Sequence, residues 1–548
     1  MEYLDQNLLS LITFLPLVTG LGLLGAGLLG SILGSRGLSP QVWRVAALAS
    51  TSLTFLLSLR LFAGFDASQT GFQFIEYGSW LPDYGINYFL GIDGISLVLV
   101  VFTAFLMPIT LLASWNDIDR SVKTYVFFML FLQTGMLGAF VSLNLFQFYL
   151  FWELMLVPMY FIIGIWGGPR RVYAAVKFFI FTMVGSLLML VALLVVYYLS
   201  FEQTGGLNFD LVSSPGNVLP GLLDTQIPVT GEAPWWRTQT WLFAAFALAF
   251  AIKVPMVPFH TWLPDAHVEA PTSGSVILAG VLLKMGTYGF VRFALPLFPE
   301  AAVEFTPWIL TLSLIGIVYG SLVAMVQSDI KKLVAYSSVA HLGFVMLGMF
   351  AFNATGLNGS VLQMVNHGLS TGALFLLVGM LYERRHTREI ADFGGVAKPM
   401  PVFAAFFALV TMSSIGLPML NGFVGEFLIL LGVFLYDPLV AVIATSGVVL
   451  AAAYMLWMFR RVFFGPVENA ENRGLIDLGL REKIVMIAMV IPIVWIGIYP
   501  DPLLRRIEPS VLEILRQLEP ETEEETALAP SSEGALAQAL VRETGDAP

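Results

Sequence analysis

Cysteine is absent from this chain of 548 residues, and charged side chains are scarce. Without thiols the chain has no cysteine-ligated iron–sulfur cluster, no thiol catalysis and no disulfide. Charged residues make up 12% of the sequence and hydrophobic residues 57%, whereas soluble domains carry about 25% charged residues. The mean hydropathy is +0.81. These values predict a polytopic membrane protein in which residues 1–503 form a single transmembrane domain.

Basic residues are also missing before the first apolar run, which follows the segment MEYLDQN. A cleaved signal peptide has a basic region at this position, so we expect the first helix to remain. Runs of about twenty apolar residues predict an all-α fold with about fourteen transmembrane helices. These spans are expected at residues 9–33, 41–63, 92–114, 122–141, 143–166, 173–200, 239–260, 273–297, 305–327, 331–351, 358–383, 401–431, 438–464 and 482–503. Residues 504–548 are expected to form a short amphipathic segment and an acidic, disordered tail.

The distribution of lysine and arginine predicts how the chain is oriented. Most of the 27 basic residues fall in loops after odd-numbered spans, Lys331 among them, and such loops are normally cytoplasmic. Arg292 is assigned to the opposite side. Both termini are therefore expected on the non-cytoplasmic side, and Lys253 and Lys284 within the membrane.

The stretch 253–284 combines two charges with a break in an apolar run. Pro255 and Pro258 follow Lys253, and each proline removes a backbone donor and clashes with the preceding turn. A lysine at the centre of a bilayer costs about 2.5–3.5 kcal/mol on insertion scales. Snorkelling lysines at helix ends would be an alternative, but apolar residues flank Lys253 and Lys284 on both sides. The pattern indicates an ion pathway at a broken helix.

A second break resembles the first. The segment LPMLNGFVGEF (417–427), with Pro418, repeats the pattern of VPMVPF (254–259) five spans later. Paired broken helices in inverted repeats place ion sites at mid-membrane in many transporters. The sequence thus predicts two inverted five-helix repeats, at about 122–297 and 305–464, with breaks in helices 7 and 12.

A short set of ionisable residues is predicted inside the membrane. It comprises Glu153, Lys253, Lys284, His341, His367 and Glu426. Desolvation brings carboxylates, lysines and histidines towards their neutral forms, so such groups can exchange protons. Alternatives are packed structural histidines, a purely structural glutamate, and haem ligation by the two histidines. His260 and His267 could suggest a metal site, but no third ligand is near and a loop-shaping role fits them better.

Seven motifs together resemble the antiporter-like subunits of respiratory complex I, and most closely their chain M (subunit 4) branch. They are GIDGISL (91–97), FWELMLVPMY (151–160), the stretch 253–284, DIKKLVAYSSVAHLGFV (329–345), QMVNHGLS (363–370), LYERRHTREI (381–390) and GFVGEF (422–427). The resemblance covers residues from about 86 to 503. It implies that Glu153 pairs with Lys253, that Lys284, His341 and His367 relay protons, and that Glu426 ends the path. Other antiporter-like subunits carry lysine at that last position.

The resemblance implies a proton-translocating subunit of NADH:quinone oxidoreductase in the bacterial inner membrane. FMN, iron–sulfur clusters and quinone are then expected in partner subunits, and no cofactor or metal in this chain. The expected partners are antiporter-like paralogues on either side and the lipid bilayer. Two alternatives are a subunit of a Mrp-type cation/proton antiporter or of a membrane-bound hydrogenase, and an interaction scaffold with vestigial charges. Glutamate at 426 argues against the antiporter, and six retained ionisable groups argue against the scaffold.

Overall fold

The computed structural model describes residues 6–32, 38–215, 219–225, 227 and 237–518, so the predicted acidic tail lies outside the described residues. The first half contains α1 (Leu8–Ile32), α2 (Pro40–Gly64), β1 (Gln73–Leu81), β2 (Ile86–Ile92), α3 (Gly94–Ala113), α4 (Val122–Val141), α5 (Leu145–Leu154), α6 (Leu156–Trp166), α7 (Arg171–Thr204), α8 (Thr238–Lys253), α9 (Trp262–Glu269), α10 (Thr272–Ile277), α11 (Leu283–Gly289) and α12 (Leu295–Leu297). The second half contains α13 (Pro299–Met325), α14 (Ile330–Met349), α15 (Ala354–Arg385), α16 (Pro401–Ser414), α17 (Asn421–Tyr436), α18 (Pro438–Phe463), α19 (Ala470–Arg473), α20 (Leu480–Ile498) and α21 (Asp501–Leu518).

The all-α membrane architecture is confirmed. Within the described ranges, 11 helical spans are long and apolar enough to cross a membrane, or 12 if α20 and α21, bent by 70°, count as one. The shorter apolar helices α8, α16 and α17 occupy the places of the two predicted broken spans. The count of fourteen spans therefore stays a prediction, because it depends on how broken and bent helices are counted.

Several helices begin at a polar side chain that accepts hydrogen bonds from the first turn. Asp93 caps α3, Asn144 caps α5, Asp329 caps α14 and Asn353 caps α15. Such caps satisfy backbone donors that have no partner within the helix. Helices α5, α14 and α15, which carry Glu153, His341 and His367, are thus started by local sequence signals.

Two spans are enclosed by protein on all sides. The span Thr272–Leu297, made of α10 to α12 and the turns between them, is 100% buried over its apolar window, and so is α15. The apolar windows of α1, α2 and α18 are only 33% buried, as expected of helices at a lipid boundary. Lys284 and His367 come from the two enclosed spans, where polar groups can meet without facing lipid.

Both predicted helix breaks are present. Helix α8 ends at Lys253, and the chain passes through Pro255 and a cis Val257–Pro258 bond before α9 begins at Trp262. The Trp262 indole donates a hydrogen bond of 2.9 Å to the backbone oxygen of Ile252 and so satisfies a carbonyl freed by the break.

The second break, around Pro418, lies between the end of α16 and the start of α17. Gly416 and Met419 have φ values of 74° in this segment. The chain turns here through a left-handed conformation that is rare outside glycine. The break therefore separates α16 from α17 by backbone geometry as well as by the loss of helical hydrogen bonds.

One end of the bundle carries the two β-strands and the amphipathic helix α21. Strands β1 and β2 pair antiparallel within residues 73–92, and the amphipathic helix α21 packs against α3, where Ser510 Oγ accepts a 2.9 Å hydrogen bond from the backbone N–H of Gly94. Asp210 joins the same end by accepting hydrogen bonds of 2.8 Å from the side chains of Asn87 and Asn144. The amphipathic segment predicted after residue 503 is thus a helix that begins at Asp501.

Two cations that the charge distribution assigns to opposite sides of the membrane are buried within the protein. Lys331, assigned to a loop on the cytoplasmic side, donates a 2.6 Å hydrogen bond to the backbone oxygen of Ala270. Arg292 is buried and lies 2.5 Å from Asp93 in an ion pair. Burial alone would raise the pKa of Asp93, but the Arg292 guanidinium outweighs burial and holds that pKa below its usual value. The positive-charge distribution predicted only a side of the membrane for each residue, whereas local pairing makes the burial of each charge tolerable.

Candidate functional site

Lys253 ends α8 at the first break, and its ammonium is enclosed by aromatic rings. The side chain is 2% exposed, and Nζ lies 5.0 Å from the centroid of the Trp152 ring and 5.9 Å from that of Phe178. Among the described residues, Nζ has no hydrogen-bond partner. The faces of these rings attract a cation, which partly replaces the lost hydration.

Glu153 lies next to Trp152 in α5 and is half-buried. It is the acidic group whose charge acts on Lys253, yet no described residue forms a hydrogen bond with its Oε1. The pairing of Glu153 with Lys253 that the resemblance implies is therefore a charge interaction without a direct hydrogen bond. Trp152 is the neighbour of Glu153 in the chain, and its ring lies beside Lys253.

Lys284 lies in α11, between π-helical turns at Leu278–Leu282 and Phe290–Ala294. It is fully buried, and Nζ lies 2.6 Å from His367 Nδ1. Nζ also donates a hydrogen bond to the backbone oxygen of Ala279. Single π turns inside α-helices are rare and often occur at functional sites.

His367 and His341 connect this lysine to the second break. Their ring centroids are 5.7 Å apart. His341 Nδ1 lies 2.8 Å from Glu426 Oε1, and its Nε2 lies 3.4 Å from Ser414 Oγ. Lys284, His367, His341 and Glu426 thus form a continuous row of ionisable groups from α11 to α17.

A small polar cavity lies beside the two histidines. Its lining includes His341, His367, Asn366, Ser370 and Ser414. Its volume for a water-sized occupant is about 10 Å³, which is enough for about one water molecule. A single water here would have several polar partners.

All six ionisable residues predicted for the site are at least half-buried. The structure brings four of them together, while Glu153 and Lys253 form a separate pair beside the first break. The helix-breaking prolines Pro255, Pro258 and Pro418 all lie in the non-helical segments. The assignment of the six residues to proton transfer remains a proposal.

Sequence reasoning missed the neutral polar residues around Glu426. Gln363 Nε2 donates a 3.2 Å hydrogen bond to Glu426 Oε1. Asn366 and Asn421 bond to each other's backbone oxygens, at 2.8 and 3.1 Å. The motif QMVNHGLS contained a signal, because Gln363 lies one turn before His367 and hence on the same helix face.

The histidines of α9 and its preceding turn do not assemble a metal site. His267 stacks on Phe375 with ring centroids 4.7 Å apart, and the His260 ring lies 5.4 Å from that of Tyr319. Across the described part of the chain, no group of three His, Cys, Asp or Glu residues could hold a metal ion. These contacts support a structural role for both histidines.

Comparisons with known proteins cover almost the whole chain. A family described as NADH:quinone oxidoreductase/Mrp antiporter matches residues 142–451, and one described as NADH-ubiquinone oxidoreductase chain 4, amino terminus, matches residues 38–139. The NADH-quinone oxidoreductase subunit M of Rhodobacter capsulatus is 48% identical over 518 residues, which are 93% of this chain and 97% of that protein. The NADH-ubiquinone oxidoreductase chain 4 of Arabidopsis thaliana is 45% identical over 474 residues, 86% of this chain and 92% of that protein.

Solved structures agree with the sequence relatives. A chain of respiratory complex I from Thermus thermophilus with bound NADH superposes with a TM-score of 0.81 at 31% identity, covering 93% of this chain and 100% of that one. A chain of the Mrp complex from Dietzia sp. DQ12-45-1b has a TM-score of 0.75 at 18% identity, with 93% and 99% covered, and shows a shared fold alone. The chain therefore belongs to the subunit M (chain 4) family of NADH:quinone oxidoreductase, the antiporter-like membrane subunits of respiratory complex I.

Proposed function

We propose that this chain is a membrane-arm subunit of NADH:quinone oxidoreductase that moves protons through its buried Glu, Lys and His residues. The observation that carries the proposal is the continuous row Lys284–His367–His341–Glu426, whose first two members come from the two fully enclosed spans. Ionisable residues within transmembrane segments are costly and commonly mark ion or proton pathways. A protein that served only as an interaction scaffold would not need four buried ionisable residues in one row.

The geometry suggests how a proton moves along this row. A charged Lys284 can only donate, so His367 Nδ1 accepts its proton. His367 then releases the proton on Nε2, which has no partner in the described part of the chain, through the small cavity to His341 Nε2. His341 in turn passes its Nδ1 proton to Glu426 Oε1, at 2.8 Å. Glu426 becomes neutral at the end of the row and can release the proton towards solvent.

The Glu153–Lys253 pair would control when this row is loaded. Lys253 is held by aromatic faces and by a carboxylate that does not touch it, so its proton affinity depends on the charge of Glu153. A change in Glu153 would then change whether Lys253 keeps its proton. Signals from neighbouring subunits could reach the pathway in this way.

The two breaks support the proposed division into inverted repeats at about 122–297 and 305–464. Each break places an ionisable residue, Lys253 or Glu426, beside the interrupted backbone. The placement of basic loops supports an orientation with both termini on the non-cytoplasmic side of a bacterial inner membrane.

The proposed partners are the antiporter-like paralogues on either side of this chain in the membrane arm, together with lipid. FMN, iron–sulfur clusters and quinone chemistry would belong to other subunits, since the chain contains no cysteine to ligate a cluster. Proton transfer here would then be driven by conformational or electrostatic signals rather than by local redox chemistry.

The second candidate is a subunit of a Mrp-type antiporter or a membrane-bound hydrogenase. The shared fold with the Mrp chain favours it. Glutamate rather than lysine at position 426 argues against it, because the chain resembles the chain M branch at that residue. Identification of the chains that co-purify with the native complex would separate these readings.

The central test is Lys253→Ala in the intact complex. We expect the assembled complex to form and NADH-driven acidification of inverted membrane vesicles to be lost or sharply reduced, because the charge beside the first break is gone. Lys398→Ala, which removes an exposed lysine from the segment before α16, is the matched control and should pump normally. Acidification at the wild-type rate in a normally assembled Lys253→Ala complex would contradict the proposal.

A further inference from the structure

The side-chain amide of Gln363 has a fixed orientation that follows from backbone chemistry. A backbone carbonyl can only accept, so the Asn366 side chain must direct its NH₂ group to Asn421 O, at 2.8 Å. The same NH₂ group faces Gln363 Oε1 at 3.4 Å. Gln363 therefore directs its own NH₂ group towards Glu426 Oε1, at 3.2 Å.

A reciprocal pair of asparagines holds this arrangement in place. Asn421 Nδ2 donates to the backbone oxygen of Asn366 at 3.1 Å, and its Oδ1 accepts from Ser413 at 2.5 Å and from Ser370 at 3.3 Å. Asn421 is the first residue of α17, immediately after the second break, and it is fully buried. The pair thus joins α15 directly to the start of the helix that carries Glu426.

Gly425 leaves the room that Gln363 needs. A Cβ atom at position 425 would collide with Gln363 Oε1 and would lie 3.0 Å from Asn366 Nδ2. Any larger residue would therefore displace the amide from Glu426. The close approach of α17 to α15 depends on this glycine.

We propose that Gln363 is a positioning residue for proton transfer: held by the Asn366–Asn421 pair, it acts as a permanent hydrogen-bond donor to Glu426. This inference rests on the proposed function and adds a neutral residue to it. Because the Gln363 amide can only donate to Glu426 in this orientation, its hydrogen bond favours the ionised carboxylate. The ionised carboxylate is the form that can accept a proton from His341. The Gln363 amide also leaves His341 Nδ1, on the same oxygen, as a second donor, so the neutral ring carries its proton on Nδ1 and has Nε2, near Ser414 Oγ, as an acceptor.

The charged and titratable groups around Glu426 are few. His341 on α14 and His367 on α15 lie in the row itself, and Tyr454 on α18 is close enough for the charge of Glu426 to act on its neutral phenol group. Helix α16 presents Ser413 and Ser414, which do not titrate near neutral pH. Helix α20 has its charges, Arg481, Glu482 and Lys483, in its first turn, where Glu482 pairs with Arg384. Loss of the Gln363 donor should therefore be visible in the pH dependence of proton pumping through Glu426.

The test is Gln363→Met in the native complex, which keeps the side-chain length and removes the donor. We expect normal assembly and a proton-pumping profile whose acid limb moves by about one pH unit towards alkaline pH, because one hydrogen bond to the ionised carboxylate is lost. Gly425→Ala should give the same shift with both amides retained. Gln327→Met, at a half-buried glutamine whose amide bonds only to the backbone oxygen of Val323, is the matched control and should keep the wild-type profile.

Failure of this inference can be distinguished from failure of the proposed function. Glu426→Gln is measured alongside. If Glu426→Gln stops pumping but Gln363→Met and Gly425→Ala keep the wild-type pH profile, the positioning role is refuted and the pathway stands. If Glu426→Gln pumps normally, the pathway through Glu426 is refuted, and with it any role of Gln363 in positioning that carboxylate.

Discussion

Replacing Trp152 by leucine should shift the pH dependence of proton pumping without removing any ionisable group. The Trp152 ring centroid lies 5.0 Å from Lys253 Nζ, nearer than that of Phe178, and no residue in the described ranges forms a hydrogen bond with Nζ. The interaction between the ammonium and the ring face is therefore a major stabilisation of the charged lysine. Removing the ring makes the charged form less stable while Glu153 remains in place.

The size of the shift follows from the energy of a desolvated cation–π contact. Such a contact contributes about 2 kcal/mol, and a change of about 1.4 kcal/mol corresponds to one pH unit. The pumping profile of Trp152→Leu should thus move by about 1.5 pH units towards acid, since Lys253 loses its proton more readily. Phe178, at 5.9 Å, would retain a smaller interaction.

The assay is NADH-driven acidification of inverted vesicles, measured from acid to alkaline pH and divided by the rate of NADH oxidation. Trp152→Phe is the control, because it keeps a ring face and should shift the profile less. Truncating a buried tryptophan leaves a cavity, so the amount of assembled complex must be measured for both variants. Superimposable profiles for Trp152→Leu and the wild type would refute the role of the ring.

Three further outcomes are expected. Glu153→Gln should impair pumping about as strongly as Lys253→Ala, with Glu153→Asp milder, and equal pumping by Glu153→Gln and wild type would leave this glutamate a packing role. Glu426→Lys should lower the protons pumped per NADH oxidised in vesicles, because a cation replaces an anion opposite His341; an unchanged ratio would argue against that contact. Asp93→Asn keeps the helix cap but leaves Arg292 buried without a counter-ion. The free energy of unfolding, measured by thermal unfolding, should therefore fall by about 3–5 kcal/mol. Because the pKa of Asp93 is depressed, the pair is intact above about pH 4 and is lost only in stronger acid. The loss of stability should therefore be the same at pH 6 and pH 8. A loss that differed between these two pH values would contradict the ion pair.

The sequence was sufficient for the parts of the fold and site that depend on costly residues. A proline shortly after Lys253 and another after Leu417 disfavour a continuous helix, and the structure has breaks at both places, although other prolines, such as Pro16 and Pro108, lie inside helices. Charged groups within apolar runs are rare, so the candidate residues could be found by inspection. These signals are local, and local signals can be read without coordinates.

Contacts between distant segments could not be predicted in the same way. Gln363, Asn366 and Asn421 are neutral, and neutral amides in a helix carry no obvious penalty that marks them. Their importance comes from meeting across α15 and α17, which only the packing reveals. The burial of Arg292 was missed for the same reason, since its counter-ion Asp93 is about two hundred residues away in the chain.

The two π turns around Lys284 have a consequence for helical phase. A residue advances by about 100° around an α-helix axis, and a π turn absorbs roughly one additional residue. A helical wheel drawn through Thr272–Leu297 as a regular helix therefore assigns Lys284 to the wrong side, although the residue faces His367 in the structure. Deleting one residue from Leu278–Leu282 should convert this π turn into a regular α-helical turn and leave the lysine facing the histidine. Residue number alone is thus a poor guide to direction in this span, and relatives should be compared at this position by the face that their lysine occupies.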